Sequence, residues 1–208
     1  MRSNPSRQMG NGSQVGHDNA QPLIMALILF NKPFQVMCQF SPHPTRDTLS
    51  AYIDVPDIYP AGRLDADSEG LLLLTDEGKL QHHISHPDRK QAKTYLVQVE
   101  GVPGAGALKR LSEPLDLGDF VTQPCQVKHV HAPDWLWPRD PPVRSRKEIP
   151  TSWLAITLSE GKNRQVRRMT AVVGLPTLRL VRVAIGPFSL QTHPLLPGDW
   201  MDVSSEMQ

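Results

Sequence analysis

The chain has 208 residues, 39% of them hydrophobic, and a formal net charge of +1 at pH 7. This length suffices for one sizeable core or two small lobes, and a net charge so close to zero neither favours nor excludes a nucleic-acid partner. The two cysteines, Cys38 and Cys125, have no metal-binding or redox spacing, so a reduced, cytoplasmic protein is expected. No apolar run reaches the roughly 18 residues of a membrane span, so a transmembrane helix is not expected.

The first quarter of the chain is predicted to hold a polar leader, a strand and a short helix. Residues 1–22 are rich in Asn, Gln, Ser and Gly, a composition typical of disorder. Residues 27–30 are a strand candidate that ends at Lys32-Pro33, because proline cannot continue a strand interior. Residues 47–53 favour a short helix.

A buried strand follows a loop that carries two carboxylates. The segment Gly62-Arg63-Leu64-Asp65 comes shortly before an apolar run at residues 70–74, which is typical of a strand buried on both faces. Asp65 therefore lies in a tight loop at the mouth of a core strand, where catalytic side chains are often found. The competing interpretation is that Asp65 only satisfies its own turn. Asp67, two residues further on, is predicted to point the opposite way, into solvent, or to cap the loop.

The later elements follow from hydrophobic periodicity. A helix is predicted from Thr75 or Asp76 to about His86, where Pro87 ends it. The other predicted elements are strands at 93–100, 126–131, 153–158 and 179–185, and helices at 105–112 and 163–173. Strands mixed with isolated helices, without strict βαβ alternation, predict an α+β fold with a mostly antiparallel sheet.

A basic segment, Glu160-Gly161-Lys162-Asn163-Arg164-Gln165-Val166-Arg167-Arg168-Met169, follows the third predicted strand of that series. Together with Gly62-Arg63-Leu64-Asp65 and with residues 93–99, it resembles the motifs of pseudouridine synthases of the RsuA type. The resemblance runs from residue 27 to residue 202. It implies a pseudouridine synthase fold, with a mixed, mostly antiparallel sheet in two lobes, helices, and a central catalytic cleft.

The resemblance also divides the chain. It implies a catalytic domain of two lobes at residues 23–203, between the leader at 1–22 and a short tail at 204–208. Because the first strand of the catalytic domain is expected as early as residue 27, no S4 domain, which family members often carry ahead of the catalytic part, is expected. This feature and a proline-rich insert around Trp135 and Trp137 resemble a branch of the family that acts on the large ribosomal subunit. The expected partner is therefore large-subunit ribosomal RNA, bound by a monomer.

The resemblance implies a role for each motif residue in converting uridine to pseudouridine, which breaks the N1–C1′ bond and rejoins the base through C5. Asp65 is implied as the carboxylate that holds the sugar or the base, Arg167 as its ion-pair partner, and Tyr95 as a ring that stacks on uracil or moves a proton. Arg63 is implied to fill the stack that the flipped nucleotide leaves. The implied substrate contacts are Arg63, Leu64, Lys162, Arg164, Arg168, Leu180 and Ile185.

Each of these residues also has a structural interpretation. Tyr95 alternates with its neighbours as a core aromatic residue would, and Arg167 could be a surface charge on its helix. Arg63 could simply contact a phosphate, and core packing accounts equally well for Leu180 and Ile185. Whether Asp65 attacks C1′, attacks the base or acts through a glycal route also stays open.

No cofactor or metal is expected, because the isomerisation has no net redox change and needs no energy donor. His82, His83 and His86 share one predicted helix, but no further ligand type lies near them, so a structural or solvent role is favoured. The two insert tryptophans, spaced for the same side of an extended chain, either stack on RNA or pin the insert to the core. Two other classes of function are competing hypotheses: a non-catalytic rRNA-binding or ribosome-assembly factor, and an unrelated hydrolase with Asp65 as its nucleophile.

Overall fold

A computed structural model describes residues 26–85, 91–144, 146 and 148–207. The leader predicted at 1–22 and the residue His86 lie outside these ranges. Among the residues described, no helix is long and apolar enough to cross a bilayer.

The elements within the described ranges are mostly strands. The strands are β1 (Leu27–Lys32), β2 (Tyr59–Pro60), β3 (Glu69–Thr75), β4 (Lys93–Glu100), β5 (Gln126–Val130), β6 (Thr151–Leu158), β7 (Thr177–Ile185), β8 (Phe188–Ser189) and β9 (Trp200–Asp202). The α-helices are α1 (Gly78–Ser85), α2 (Ala105–Ser112) and α3 (Gln165–Val172). Short 3-10 helices occupy Leu49–Ala51 and Ser204–Met207.

The strands form one sheet in the order β5-β6-β4-β7-β3-β1-β9, with β2 paired to β3 and β8 to β7. Neighbouring strands are antiparallel except β3 and β7, which run parallel over two residue pairs, Glu69–Val181 and Gly70–Arg182. This short parallel contact joins the half of the sheet built on β1 and β3 to the half built on β4, β6 and β7. The predicted α+β fold with a mixed, mostly antiparallel sheet is thereby confirmed.

Strand β3 explains why four leucines follow one another. Leu71 and Leu73 pack into one apolar cluster, and Leu72 and Leu74 pack into another, because successive side chains of a strand face opposite sides of the sheet. All seven residues of β3 are buried. The strand is therefore a rigid element directly behind the loop that carries Asp65.

Gly70 allows β3 and β7 to approach each other at the parallel junction. Its φ is +104°, and a Cβ atom there would lie 2.2 Å from the carbonyl oxygen of Arg182. Only glycine combines this backbone conformation with so close a neighbour. The junction lies beside the loop at residues 62–68, so the glycine also sets where that loop leaves the sheet.

Two helical predictions need correction. The helix predicted at residues 47–53 is only the 3-10 helix Leu49–Ala51. Helix α1 begins at Gly78 rather than directly after Thr75 or Asp76, because the Glu77 carboxylate accepts the backbone N–H groups of the first turn. The Thr75 hydroxyl instead accepts the backbone N–H of Glu77, at 3.1 Å, in the preceding turn.

The proline-rich insert separates its two tryptophans. The chain turns at residues 133–136, where the backbone N–H of Leu136 donates to the carbonyl oxygen of Pro133. The two tryptophans are therefore not presented by the extended chain that their same-side placement would require. Trp137 is 8% exposed and packs into the core, whereas Trp135 is 40% exposed. One tryptophan therefore anchors the insert, and the other remains accessible.

Candidate active site

A cavity of about 560 Å³ opens where the loop at residues 62–68 faces the start of α3. Eight of the ten site residues predicted from sequence line it; the exceptions are Arg167 and Arg168. The eight are Arg63, Leu64, Asp65, Tyr95, Lys162, Arg164, Leu180 and Ile185. The fold thus brings together motifs that lie about a hundred residues apart in the chain.

The backbone of Asp65 forms part of a turn, and its carboxylate is accessible. Its carbonyl oxygen accepts the backbone N–H of Ser68 at 3.1 Å, which closes the turn. Its side chain is 46% exposed, and its Oδ2 lies 3.5 Å from Nη1 of Arg164. The turn and the functional interpretation are therefore compatible, because the backbone forms the turn while the carboxylate faces the cavity.

Arg164 binds a second carboxylate more closely than it binds Asp65. The two guanidinium nitrogens donate to Oδ1 and Oδ2 of Asp67 at 3.2 and 2.8 Å. This pairing corrects the prediction that Asp67 points into solvent or caps the loop. The loop turns at residues 66–67 instead of continuing in an extended conformation, so Asp65 and Asp67 both face α3.

Arg167 also contacts Asp67 rather than its predicted partner, Asp65. Its Nη2 donates to the carbonyl oxygen of Asp67 at 2.6 Å and to the Ser68 hydroxyl at 3.5 Å, and its Nε lies 3.6 Å from Oδ2 of Asp67. The side chain is only 14% exposed, so it is not a solvated helix-surface charge. Arg164, at the N-cap of α3, is the arginine that reaches Asp65.

The two arginines keep Asp67 ionised. Partial burial alone would raise the pKa of this carboxyl, but the hydrogen bond from Arg164 and the positive charges of Arg167 and Arg164 lower the pKa below its ordinary value. Burial lowers the pKa of Arg167, against the opposing effect of the Asp67 charge. Two carboxylates and two guanidinium groups therefore form a compact, charge-balanced cluster at the cavity edge.

Arg168 lies in a different environment. Its guanidinium is paired with the Asp119 carboxylate, donates to the carbonyl oxygen of Leu117, and lies 5.1 Å from the centre of the Phe120 ring. A contact between Arg168 and substrate would require this arrangement to open.

The apolar wall of the cavity belongs to the protein core at the same time. Tyr95, Leu180 and Ile185 are 8%, 6% and 2% exposed, and each packs into an apolar cluster. The packing and pocket interpretations of these residues therefore both describe the geometry.

Two buried basic residues that the sequence reasoning missed support the loop from behind. Arg182 is 4% exposed and donates to the carbonyl oxygens of Leu71, at 2.8 Å, and Arg63, at 3.2 Å. Lys32 is fully buried, and its Nζ donates to the carbonyl oxygens of Pro33 and Val36 at 2.8 Å each. The sequence signal that could have identified both residues is a charged side chain within, or at the end of, an otherwise apolar strand.

The buried ammonium of Lys32 loses contact with water, and this burial lowers the pKa of the group to about 8. The turn that Lys32 holds is joined to the loop at residues 62–68, because the backbone N–H of Gln35 donates to the carbonyl oxygen of Ala66 at 2.7 Å. In the part of the chain that the structure describes, no group of three or more His, Cys, Asp or Glu residues could hold a metal ion.

Residues 26–172 match the sequence model of the RNA pseudouridylate synthase family. The chain is 54% identical over 176 residues to ribosomal large subunit pseudouridine synthase E of Xanthomonas campestris pv. campestris, covering 84% of this chain and 93% of the relative. It is 51% identical over 178 residues to the enzyme of the same name from Vibrio vulnificus, covering 86% and 75%. A crystal structure of a pseudouridylate synthase superposes with a TM-score of 0.71 at 26% identity, covering 88% of this chain and 72% of the other.

The chain therefore belongs to the RNA pseudouridylate synthase family. The family and the fold that the motifs implied are confirmed. Within the family, the relatives just described carry the name of the large-subunit enzyme E.

Proposed function

We propose that this protein isomerises uridine to pseudouridine in large-subunit ribosomal RNA. The observation that carries the proposal is the convergence of eight predicted site residues on one cavity, with the Asp65 carboxylate accessible at its edge. The two relatives of 54% and 51% identity are named for the large ribosomal subunit, which supports that substrate. Action on this RNA implies a cytoplasmic protein.

The cavity is large enough for a flipped nucleotide. Extruding a base from paired RNA costs a few kcal/mol, which a pocket and a replacement side chain must offset. Tyr95, Leu180 and Ile185 offer the base an apolar wall and an aromatic ring, while Leu64 closes the side next to Asp65. Arg63 is exposed at the rim, where it can enter the vacated stack.

The chemistry balances within the substrate. The N1–C1′ bond breaks, the base rotates, a C5–C1′ bond forms, the proton leaves C5 and N1 gains one. Asp65 is the group that holds the reacting fragment, by attack on C1′, by attack on the base or through a glycal route. These bond changes require no metal, cofactor or energy donor.

The basic side of the cavity is suited to the RNA backbone. Lys162 lines the cavity just before α3, and its flexible ammonium is a common type of phosphate ligand. Arg164 lies beside Asp65 and already donates to Asp67 through both terminal nitrogens, so only its remaining N–H groups are available to a phosphate. Arg167 is too buried for that role and holds the loop instead. Arg168 would join the backbone contacts only after releasing Asp119.

The test is tritium release from large-subunit rRNA transcribed with 5-tritiated uridine. The wild type is expected to release tritium, whereas Asp65→Ala and Asp65→Asn are not, because neither supplies a carboxylate. Folding and RNA affinity should persist in both variants. Asp54→Ala, which removes an exposed carboxylate outside the cavity, is the matched control.

Near-normal turnover by Asp65→Ala would refute the assigned chemistry. Binding of the RNA by the wild type without any tritium release would indicate the non-catalytic rRNA-binding or assembly factor. Gel filtration of the free protein tests the expected monomer.

A further inference from the structure

We propose that Asp67 is a positioning residue, which holds the arginines of α3 on the catalytic loop and thereby fixes the Arg164 partner of Asp65. This inference rests on the proposed function and goes one step beyond it. It assigns to the second carboxylate of the loop a role in the rate of isomerisation rather than in RNA binding.

The contacts on Asp67 bind the loop to the helix at several points. Its carboxylate accepts both terminal nitrogens of Arg164, and its carbonyl oxygen accepts Nη2 of Arg167 at 2.6 Å. A bidentate guanidinium–carboxylate pair fixes orientation as well as distance. Arg164 Nη1 is thereby held 3.5 Å from Oδ2 of Asp65, so a single guanidinium bridges the two carboxylates.

Arg167 makes the arrangement dependent on Asp67. Its Nε is buried and has no hydrogen-bond partner among the described residues, and the nearest negative charge is the Asp67 carboxylate at 3.6 Å. A buried guanidinium needs a compensating charge, because its desolvation is otherwise unfavourable. Loss of the Asp67 charge is therefore expected to move Arg167, and with it the backbone of the loop.

The side chain of the N-cap residue of α3 bonds to Asp67 and not to the helix itself. The N-cap residue Arg164 has a left-handed conformation, with φ 49°, and its side chain makes no capping hydrogen bond to the helix. A left-handed conformation is uncommon for a residue with a side chain and persists where surrounding contacts favour it. The bonds to Asp67 are contacts of that kind.

This role and that of a simple surface carboxylate predict different rates of isomerisation for the same variant. If Asp67 were only a solvated carboxylate near the RNA, Asp67→Asn would tighten RNA binding, by removing a negative charge, and would leave the rate unchanged. If Asp67 positions the loop, the same change lowers the single-turnover rate constant at saturating enzyme about 10- to 100-fold, because small displacements of catalytic groups are costly. RNA affinity would stay the same or become tighter.

The experiment measures single-turnover tritium release and RNA affinity for the wild type, Asp67→Asn, Asp67→Glu and Arg164→Met, and for the double variant Asp67→Asn with Arg164→Met. The matched control is Asp119→Asn, because Asp119 pairs with Arg168 of the same helix but lies outside the cavity. The control should keep the wild-type rate constant, and Asp67→Glu should be faster than Asp67→Asn. The double variant should be no slower than the slower single variant, since residues acting through one another are not additive.

A wild-type rate constant in Asp67→Asn, or additive losses in the double variant, would overturn the proposal. Melting temperatures identify any variant that fails to fold, and Asp67→Ser replaces Asp67→Asn in that event. A wild type that releases no tritium refutes the proposed function itself, and is thereby distinguished from failure of this inference.

Discussion

The insert is joined to strands β3 and β7 by a buried charged network, and breaking that network is expected to be costly. Arg179 Nε and Nη2 donate to the Glu69 carboxylate at 2.9 and 2.8 Å, and Nη1 donates to the carbonyl oxygen of Trp137 at 2.9 Å. The indole Nε1 of Trp137 donates to the same carboxylate at 3.0 Å. Glu69→Gln keeps the size and one acceptor but removes the charge.

The loss of stability expected for Glu69→Gln follows from the burial of the ion pair. The side chains of Glu69 and Arg179 are 2% and 6% exposed, so water cannot replace the lost carboxylate charge. Leaving one charge of such a pair uncompensated costs about 3–5 kcal/mol. For a domain of this size that corresponds to a fall in Tm of roughly 6–20 °C.

Equilibrium urea denaturation followed by tryptophan fluorescence measures this loss. The matched control is Glu113→Gln, which breaks the exposed ion pair between Lys109 and Glu113, 3.9 Å apart, and should change stability by less than about 0.5 kcal/mol. A second change, Arg179→Met in the Glu69→Gln background, should recover part of the loss by removing the uncompensated charge. A cost below about 1 kcal/mol for Glu69→Gln would refute the reasoning that this network is closed to solvent.

Three further outcomes are expected. Trp135→Ala should weaken rRNA binding about tenfold without lowering Tm, because an exposed indole can stack on an unpaired base; unchanged affinity in a filter-binding assay would contradict this. Gly70→Ala should destabilise the protein by at least about 2 kcal/mol in urea denaturation and by more than Gly62→Ala, since φ is close to +100° at both but only Gly70 faces the Arg182 backbone. The lowered pKa of Lys32, about 8 against 10.5, means that the unfolded chain binds more protons between these values, so the free energy of unfolding should rise with pH across that window. Lys32→Met should remove this rise, which is at most about 3 kcal/mol, and an unchanged pH dependence would contradict the burial of the ammonium.

The sequence was sufficient for those features that depend on local pattern. Four consecutive leucines after a polar loop predicted the central strand β3, because a strand buried on both faces needs apolar side chains in both directions. The alternation in β4 and β6 predicted their positions within two residues. Motif resemblance named the residues that meet in the cavity, although their roles remain proposals.

The pairing of charges was decided only by the tertiary structure. Arg167 was expected to contact Asp65 but contacts Asp67, and Trp135 and Trp137 were expected on one side of the chain but lie in different environments. Both differences come from turns of one or two residues, which reverse the direction of a side chain without leaving a periodic signal. Ion-pair partners between segments about a hundred residues apart depend on distances of a few ångströms, and hydrophobic periodicity carries no information on that scale.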